Sequence, residues 1–277
     1  MRLLLTLDAP IKIVIAGNHD LALDINYSKD HSKSKEIKHR SLDKRDWYKK
    51  NIRTHDDVLA IINGSESKGV YYIQEGVHDF TLKNGAKLRL YASPWTPTFG
   101  DWAFQYDHGK HHFEIPDDID FVVTHGPPHG LLDLAWDGSL AGCPDLLQAI
   151  YESKPRVHCY GHIHEGWGAY LGEWREPDKE PLTYLSVFDQ NKSQVLETID
   201  TLRVTSADNM TTKDEKEARY SKYSEAGCCS VDANPDGDVP IEKGKQTLFV
   251  NAAILDPRYK ISNFPWIVDI DLPIADK

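Results

Sequence analysis

Three short segments of the chain combine glycine with histidine, and each follows an apolar run. They are residues 17–20 (GNHD), 124–128 (THGPP) and 161–166 (GHIHEG). Imidazole nitrogens and amide oxygens suit borderline divalent metals such as zinc, manganese and iron. Glycine in a turn lets the backbone approach a ligand closely. These residue types in these places indicate a metal centre.

The apolar runs before these segments predict the strands that position them. Residues 12–16, 121–124 and 157–160 are short and rich in β-branched or aromatic side chains. In open α/β sheets, ligands collect at the carboxyl ends of the strands, so we expect the three turns to converge on one point. A helix predicted between residues 143 and 155 would join the last two strands as a crossover unit. His162 and His164 are two residues apart, which in an extended segment directs both rings to the same side.

The remaining pattern predicts one short helix at residues 56–62 and several strands, at 69–75, 80–82, 87–92, 247–254 and 266–272. Two polar segments are interpreted as insertions into a single domain that spans residues 1–277. The first covers about 24–54, with at most one helix at 43–53. The second covers about 201–245 and is predicted to be a long mobile loop.

Composition limits the possible partners. The 277 residues include 43 acidic and 32 basic side chains, for a net charge of −11. Broad charge-driven binding to nucleic acid is therefore not expected, whereas a local metal could still attract a small phosphorylated molecule.

No run approaches the ~20 apolar residues that span a bilayer. The cysteines lack C-x-x-C spacing, which argues against a closed structural zinc site and favours a reducing, cytoplasmic location. The sequence identifies no protein partner.

In this order, the three segments resemble the later motifs of the calcineurin-like metallophosphoesterases. The His-Gly-Pro-Pro and Gly-His-x-His-Glu-Gly sequences are similar to the small metallophosphoesterase-domain branch of that family. The resemblance covers residues 10–170 and the closing strands from Thr247. It implies an α/β fold in which a two-sheet β-sandwich is flanked by helices. It also implies a hydrolase that cleaves phosphomonoesters or phosphodiesters, with a nucleotide as one candidate substrate.

The resemblance also implies a set of metal ligands. Asn18, His125 and His162 correspond to ligands of one divalent ion, and His164 to a ligand of a second ion. The family is expected to use two such ions, manganese, iron or zinc, in two-metal hydrolysis.

Two further residues correspond to the family's catalytic machinery. His19 resembles the histidine that donates a proton to the phosphate or the leaving group. Asp20 resembles the acid that orients this histidine. A turn-forming or helix-capping role is the alternative for Asp20.

The family pattern begins with Asp-x-His and a later Gly-Asp, and neither is present before these segments. Asp8 lies at the opposite end of the first predicted strand, about 15 to 20 Å from the turn at ~3.3 Å per residue. The sequence therefore predicts an N-terminally truncated form of the fold that holds one metal ion or none. Phosphoesterase activity is expected to be severely reduced or absent. The alternative is a non-catalytic module that binds a metal or a phosphorylated ligand.

Aromatic residues near the motifs offer a further hypothesis. Trp95, Trp102 and Trp167 could provide a stacking face for a nucleobase, with a core or rim position as the alternative. His108, His111 and His112 also form a histidine-rich group, but they lie in a polar loop with no strand to position them.

Overall fold

The computed structural model describes residues 4–33, 54–175 and 182–274. The chain divides into two compact units. The first unit comprises Met1–Glu75 and Ser93–Lys110, and the second comprises Gly76–Ala92 and His111–Lys277. The single domain over residues 1–277 stays a prediction. The helix expected at 43–53 lies outside the described residues.

In its described residues, the first unit contains two short parallel strand pairs and two helices. Strand β1 (Lys12–Val14) pairs with β2 (Val70–Tyr72), and β5 (Thr96–Pro97) pairs with β6 (Gln105–Tyr106). The helices are α1 (Ile25–Lys33) and α2 (His55–Asn63). Short 3-10 helices cover Leu4–Thr6 and Glu66–Lys68.

The helix expected at residues 56–62 is confirmed as α2. Its start is set by a capping box, in which the Thr54 hydroxyl accepts from the Asp57 amide and the Asp57 carboxylate accepts from the Thr54 amide. Gly64 follows its last residue. In contrast, α1 is not predicted by the sequence, because residues 25–33 are mostly polar and carry little apolar periodicity.

In the described part of the second unit, seven strands form one mixed sheet. The bounds are β3 Gly76–Thr81, β4 Lys87–Ser93, β7 Phe121–Thr124, β8 Val157–Tyr160, β9 Gly168–Glu173, β10 Gln194–Thr198 and β12 Gln246–Asn251. Their order across the sheet is β10-β9-β12-β8-β7-β4-β3. Strand β8 runs parallel to both β7 and β12, whereas the pairs β3–β4, β9–β12 and β9–β10 are antiparallel. The predicted strands at 121–124 and 157–160 are confirmed to the residue.

Helix α3 (Pro144–Ser153) connects β7 to β8, which confirms the predicted crossover. Its N-cap is Cys143, whose thiol accepts from the Leu146 amide, and proline occupies the first turn. Further helices are α4 (Tyr184–Val187), α5 (Ile199–Leu202) and α6 (Met210–Ala226).

A second, smaller sheet packs on the large one within the second unit. Strands β11 (Cys229–Asp232) and β13 (Trp266–Asp269) pair in parallel. Their side chains Val231 and Val268 pack with Val157, Leu248 and Val250 of the large sheet. The structure therefore confirms an α/β fold that combines packed sheets and helices.

The prediction of a mobile loop at 201–245 is wrong, because this segment contains α6 and β11. Helix α6 has no buried residue and hence no apolar stripe for sequence patterns to reveal. Its ends are instead marked by Asn209, which caps the first turn, and by Gly227, which adopts a left-handed conformation. Tyr223 attaches the helix to the fold by donating to the buried carboxylate of Glu197.

Within the part of the chain that the structure describes, no helix combines the length and apolar character needed to cross a bilayer.

Candidate metal centre

The GNHD segment forms a tight turn in the first unit, shortly after β1. The Asp20 carboxylate accepts a hydrogen bond from the Gly17 amide at 2.8 Å, and the Asp20 amide donates to the Gly17 carbonyl at 3.0 Å. Asp20 therefore has the turn-forming role that was the alternative from the sequence. Its role in orienting His19 stays a prediction.

Asn18 and His19 occupy different environments in this turn. Asn18 is only 5% exposed, and its backbone carbonyl accepts from the Ala103 amide at 3.2 Å. His19 is exposed, and its ring meets the indole of Trp102 edge to face, with centroids 4.4 Å apart. The turn thus pairs a buried amide, which suits a ligand, with an exposed imidazole, which suits proton exchange.

The surroundings of the turn are acidic and partly buried. Burial, together with the nearby carboxylates of Asp20 and Asp24, raises the pKa of Tyr72 to about 12. Asp24 is itself buried and accepts from the Phe104 amide at 2.8 Å. Tyr72 therefore stays protonated at any physiological pH and does not serve as a base.

The three tryptophans proposed for stacking differ in their exposure to solvent and in their contacts. Trp102 is 39% exposed and lies against His19. Trp95 packs edge to face on Phe104 in the first unit's core, with ring centroids 5.6 Å apart. Trp167 is 1% exposed and belongs to the second unit's core, so its stacking role is wrong. Of these three, only Trp102 has a partly exposed indole beside a predicted catalytic residue.

In the second unit, the sheet brings two predicted ligands together. Strands β7 and β8 are parallel neighbours, so the residues after their carboxyl ends are adjacent. The rings of His125 and His162 lie with centroids 4.7 Å apart, and the Gly161 amide donates to the His125 carbonyl at 3.1 Å. His162 has a φ of 67°, a left-handed conformation that is uncommon outside glycine and is concentrated at functional sites.

His164 is not related to His162 by the expected extended segment, because it begins a 3-10 helix, His164–Gly166. Its Nδ1 lies 3.0 Å from the carbonyl oxygen of Asp256. A carbonyl only accepts, so Nδ1 carries the hydrogen and Nε2 holds the lone pair of the neutral ring. This is the arrangement that metal-binding histidines commonly show. His164 is thus prepared to bind through Nε2.

Asn251, at the end of β12, is a positioning residue that the sequence motifs do not reveal. Its amide nitrogen donates to the carbonyls of Ile163 and Leu132 at 2.9 and 3.0 Å, and its amide oxygen accepts from the Ala253 amide at 3.1 Å. The side chain is fully buried, and it forms hydrogen bonds with backbone groups in the loops that follow three neighbouring strands. Because Ile163 lies between His162 and His164, Asn251 positions the segment that carries both. The one sequence feature that could have pointed to Asn251 is its position at the end of an apolar strand.

A buried histidine supports the strand that leads to His125. His158 lies on β8, and its Nε2 is 2.8 Å from the Thr124 hydroxyl, which itself donates to the Gly126 carbonyl at 2.6 Å. The hydroxyl must then accept from Nε2, so that nitrogen carries a hydrogen. The ring's Nδ1 is buried and has no hydrogen-bond partner among the residues that the structure describes. Burial lowers the pKa of His158 to about 3.

This buried imidazole predicts acid sensitivity. Below its ordinary pKa of 6.5, the unfolded chain takes up a proton at His158 that the folded chain does not bind until about pH 3. The free energy of unfolding should therefore fall with acidification by about 1.4 kcal/mol per pH unit in this window from His158 alone. Urea titrations from pH 7 to pH 4 should show a smaller fall for His158→Gln, which cannot titrate. Parallel curves for both proteins would contradict the prediction.

The residues present fit divalent ions in part. His125 and His162 supply two nitrogen donors at one place, and His164 supplies a third donor of defined tautomer. Among residues 4–33, 54–175 and 182–274, no three His, Cys, Asp or Glu side chains form a group that could hold a metal ion. Asn18 belongs to the first unit, and its convergence with the histidines stays a prediction.

A family model described as calcineurin-like phosphoesterase matches residues 1–166, which is more than half of the chain and includes all three motifs. The chain belongs to this family. Family membership supports a metal-dependent phosphoesterase in general, with divalent ions as the usual cofactors. Asn251 and the Asp256 carbonyl lie beyond the matched part of the chain, although they contact the matched histidine segment.

The chain is also similar to several curated proteins. Metallophosphoesterase domain-containing protein 1 of Homo sapiens is 33% identical over 169 residues, which cover 57% of this chain and 45% of the relative. A UPF0046 protein of Caenorhabditis elegans is 29% identical over 165 residues, covering 57% and 39%. Probable rhamnogalacturonate lyase C of Emericella nidulans is 36% identical over 167 residues, covering 59% and 13%. The matched region spans less than half the length of each of these relatives.

Proposed function

We propose that the chain is a hydrolase of phosphomonoester or phosphodiester bonds whose activity is severely reduced. Asn18, His125 and His162 are the proposed ligands of one divalent ion, whereas His164 is the one ligand proposed for a second ion. The observation that carries this proposal is the ring pair of His125 and His162, 4.7 Å between centroids, after two adjacent parallel strands. When bound, the ions would offset charge on the phosphoryl oxygens and lower the pKa of the attacking water.

The chain's own residues divide the remaining work. The Asp256 carbonyl accepts the Nδ1 hydrogen of His164. The lone pair of Nε2, on the other side of the ring, is then available to bind a metal ion. Asn251 keeps the segment between the two histidines in place through the Ile163 carbonyl. His19 is exposed and is the proposed general acid, which would give its proton to the leaving oxygen.

The proposed substrate is a small phosphorylated molecule, with a nucleotide as one candidate. Trp102 supports this choice, because its partly exposed indole lies beside the proposed general acid and could contact a base. The net charge of −11 disfavours nucleic-acid polymers. The cysteines at positions 143, 159, 228 and 229 are thiols and not disulfides, which supports a cytoplasmic location.

The test measures metal content and turnover on the same preparation. The 277-residue chain is loaded with manganese, dialysed and analysed by plasma mass spectrometry. Hydrolysis of bis(p-nitrophenyl) phosphate and p-nitrophenyl phosphate is then followed before chelation, after chelation and after readdition of manganese. We expect one ion per chain or none, and turnover that follows the metal but is severely reduced. About two ions per chain with efficient, saturable turnover would overturn the predicted loss of activity, whereas no turnover at all would overturn the hydrolase and favour a non-catalytic binding module.

A further inference from the structure

A compact loop from the C-terminal part of the second unit packs against His164. We call residues 255–261 the Tyr259 loop. Its ends are joined by the Leu255–Ile261 bridge, and the Asp256 amide donates to the Lys260 carbonyl at 2.8 Å. The Asp256 carboxylate accepts from the Lys260 amide at 3.0 Å. The loop thus has an internal framework of hydrogen bonds that fixes its shape.

One oxygen connects this loop to the metal centre. The Asp256 carbonyl accepts from Nδ1 of His164 at 3.0 Å and also from the Tyr259 amide at 2.8 Å. The Tyr259 ring then contacts the His164 ring edge to face, with centroids 5.3 Å apart. Tyr259 is therefore held beside His164 through both its backbone and its side chain.

The position of Tyr259 is costly for the fold and adds little to its core. Its φ of 59° is left-handed, a conformation that β-carbon sterics disfavour. Its side chain nevertheless remains 65% exposed. A strained backbone that displays an aromatic ring to solvent, next to a proposed ligand, is typical of a binding site.

The neighbouring charges indicate the kind of molecule that would meet this ring. Arg258 and Lys260 flank Tyr259, and both are exposed. Because Asp256 is the one acidic residue of the Tyr259 loop, the loop carries a net positive charge in a chain whose net charge is −11. Such a local cationic edge attracts an anionic ligand against the average field of the protein.

We propose that Tyr259 is a substrate-contacting residue, whose ring packs against an aromatic group carried by the phosphate ester. The substrate class is thereby narrowed to aryl or nucleobase-bearing phosphates, with Arg258 and Lys260 assisting in anion capture. This inference rests on the proposed phosphoesterase function. It also assigns a role to a segment outside the part of the chain that matches the family.

The test uses two ligands that cannot be hydrolysed, phenylphosphonate and methylphosphonate, titrated by calorimetry into the manganese-loaded chain. Tyr259→Ala should weaken phenylphosphonate about tenfold, the size expected for one aromatic contact, and leave methylphosphonate unchanged. Tyr259→Phe keeps the ring and should bind both ligands as the unsubstituted chain does. Tyr220→Ala is the matched control, since Tyr220 is 48% exposed on α6. Manganese content should be the same in all four proteins.

Each other result has one meaning. Equal weakening of both phosphonates, or loss of manganese in Tyr259→Ala, would show that Tyr259 only supports His164 and would overturn the inference. Unchanged binding of phenylphosphonate would overturn it as well. In these cases, the unsubstituted chain still binds phosphonates and the proposed function stands. If the manganese-loaded, unsubstituted chain binds neither phosphonate and hydrolyses neither nitrophenyl ester, the proposed function fails and the inference fails with it.

Discussion

Replacing His162 by alanine should lower manganese affinity roughly 100-fold or more, because changes to groups that merely orient a metal ligand already cost 10- to 100-fold. His162 and His125 face each other at 4.7 Å between ring centroids, so removing one leaves the other without its partner donor. Hydrolysis of bis(p-nitrophenyl) phosphate should fall to background with it. His125→Ala should have the same effect. The double variant should be no worse than either single one, since groups that act as a unit are not additive.

His112→Ala is the matched control for this prediction. His112 is an exposed imidazole of the histidine-rich group that the sequence places in a polar loop, apart from the three motifs. Manganese binding by calorimetry and turnover should be those of the unsubstituted chain. If the losses in His125→Ala and His162→Ala instead add in the double variant, the two rings do not share an ion. If His112→Ala also loses manganese, the metal is held elsewhere.

The part of the site that sequence alone predicts is the part built from consecutive residues. Strands 121–124 and 157–160 are confirmed to the residue because each is an apolar run that ends at a histidine or glycine. Parallel pairing of these strands then brings His125 near His162 without any further information. The same local logic predicts α2 from its acidic first turn and its terminal glycine.

The part that sequence could not predict depends on partners distant in the chain. Asn251 bonds to Ile163 across 88 residues, and His164 bonds to Asp256 across 92. No spacing rule connects such pairs. The expectation that His162 and His164 point to one side used strand alternation, but a 3-10 turn begins at His164 and removes the two-residue period. Helix α6 was not predicted for another reason: a helix with no buried side chain has no apolar face that a sequence pattern could show.

The glycines of the GHIHEG segment provide the second large expected effect. A Cβ at residue 166 would lie 1.9 Å from the Leu132 carbonyl oxygen and 2.9 Å from the Asn251 amide nitrogen. The first of these is a backbone atom that accepts a hydrogen bond from Asn251, so neither partner can give way without breaking that bond. Gly166→Ala should therefore lower the free energy of unfolding by about 3 kcal/mol, at the upper end of what overpacking costs. Urea titration measures this directly.

Gly161→Ala offers a control within the same segment. A Cβ at residue 161 would meet only the Ala253 backbone, at 4.0 Å, which is ordinary contact. Its stability should stay near that of the unsubstituted chain, because alanine also restricts the unfolded state. If Asn251 positions the histidines, Gly166→Ala should also weaken manganese binding while it is still folded, whereas Gly161→Ala should not. Equal stability of the two variants would mean that the Leu132 loop moves aside freely. Asn251 would then not hold the metal-binding segment.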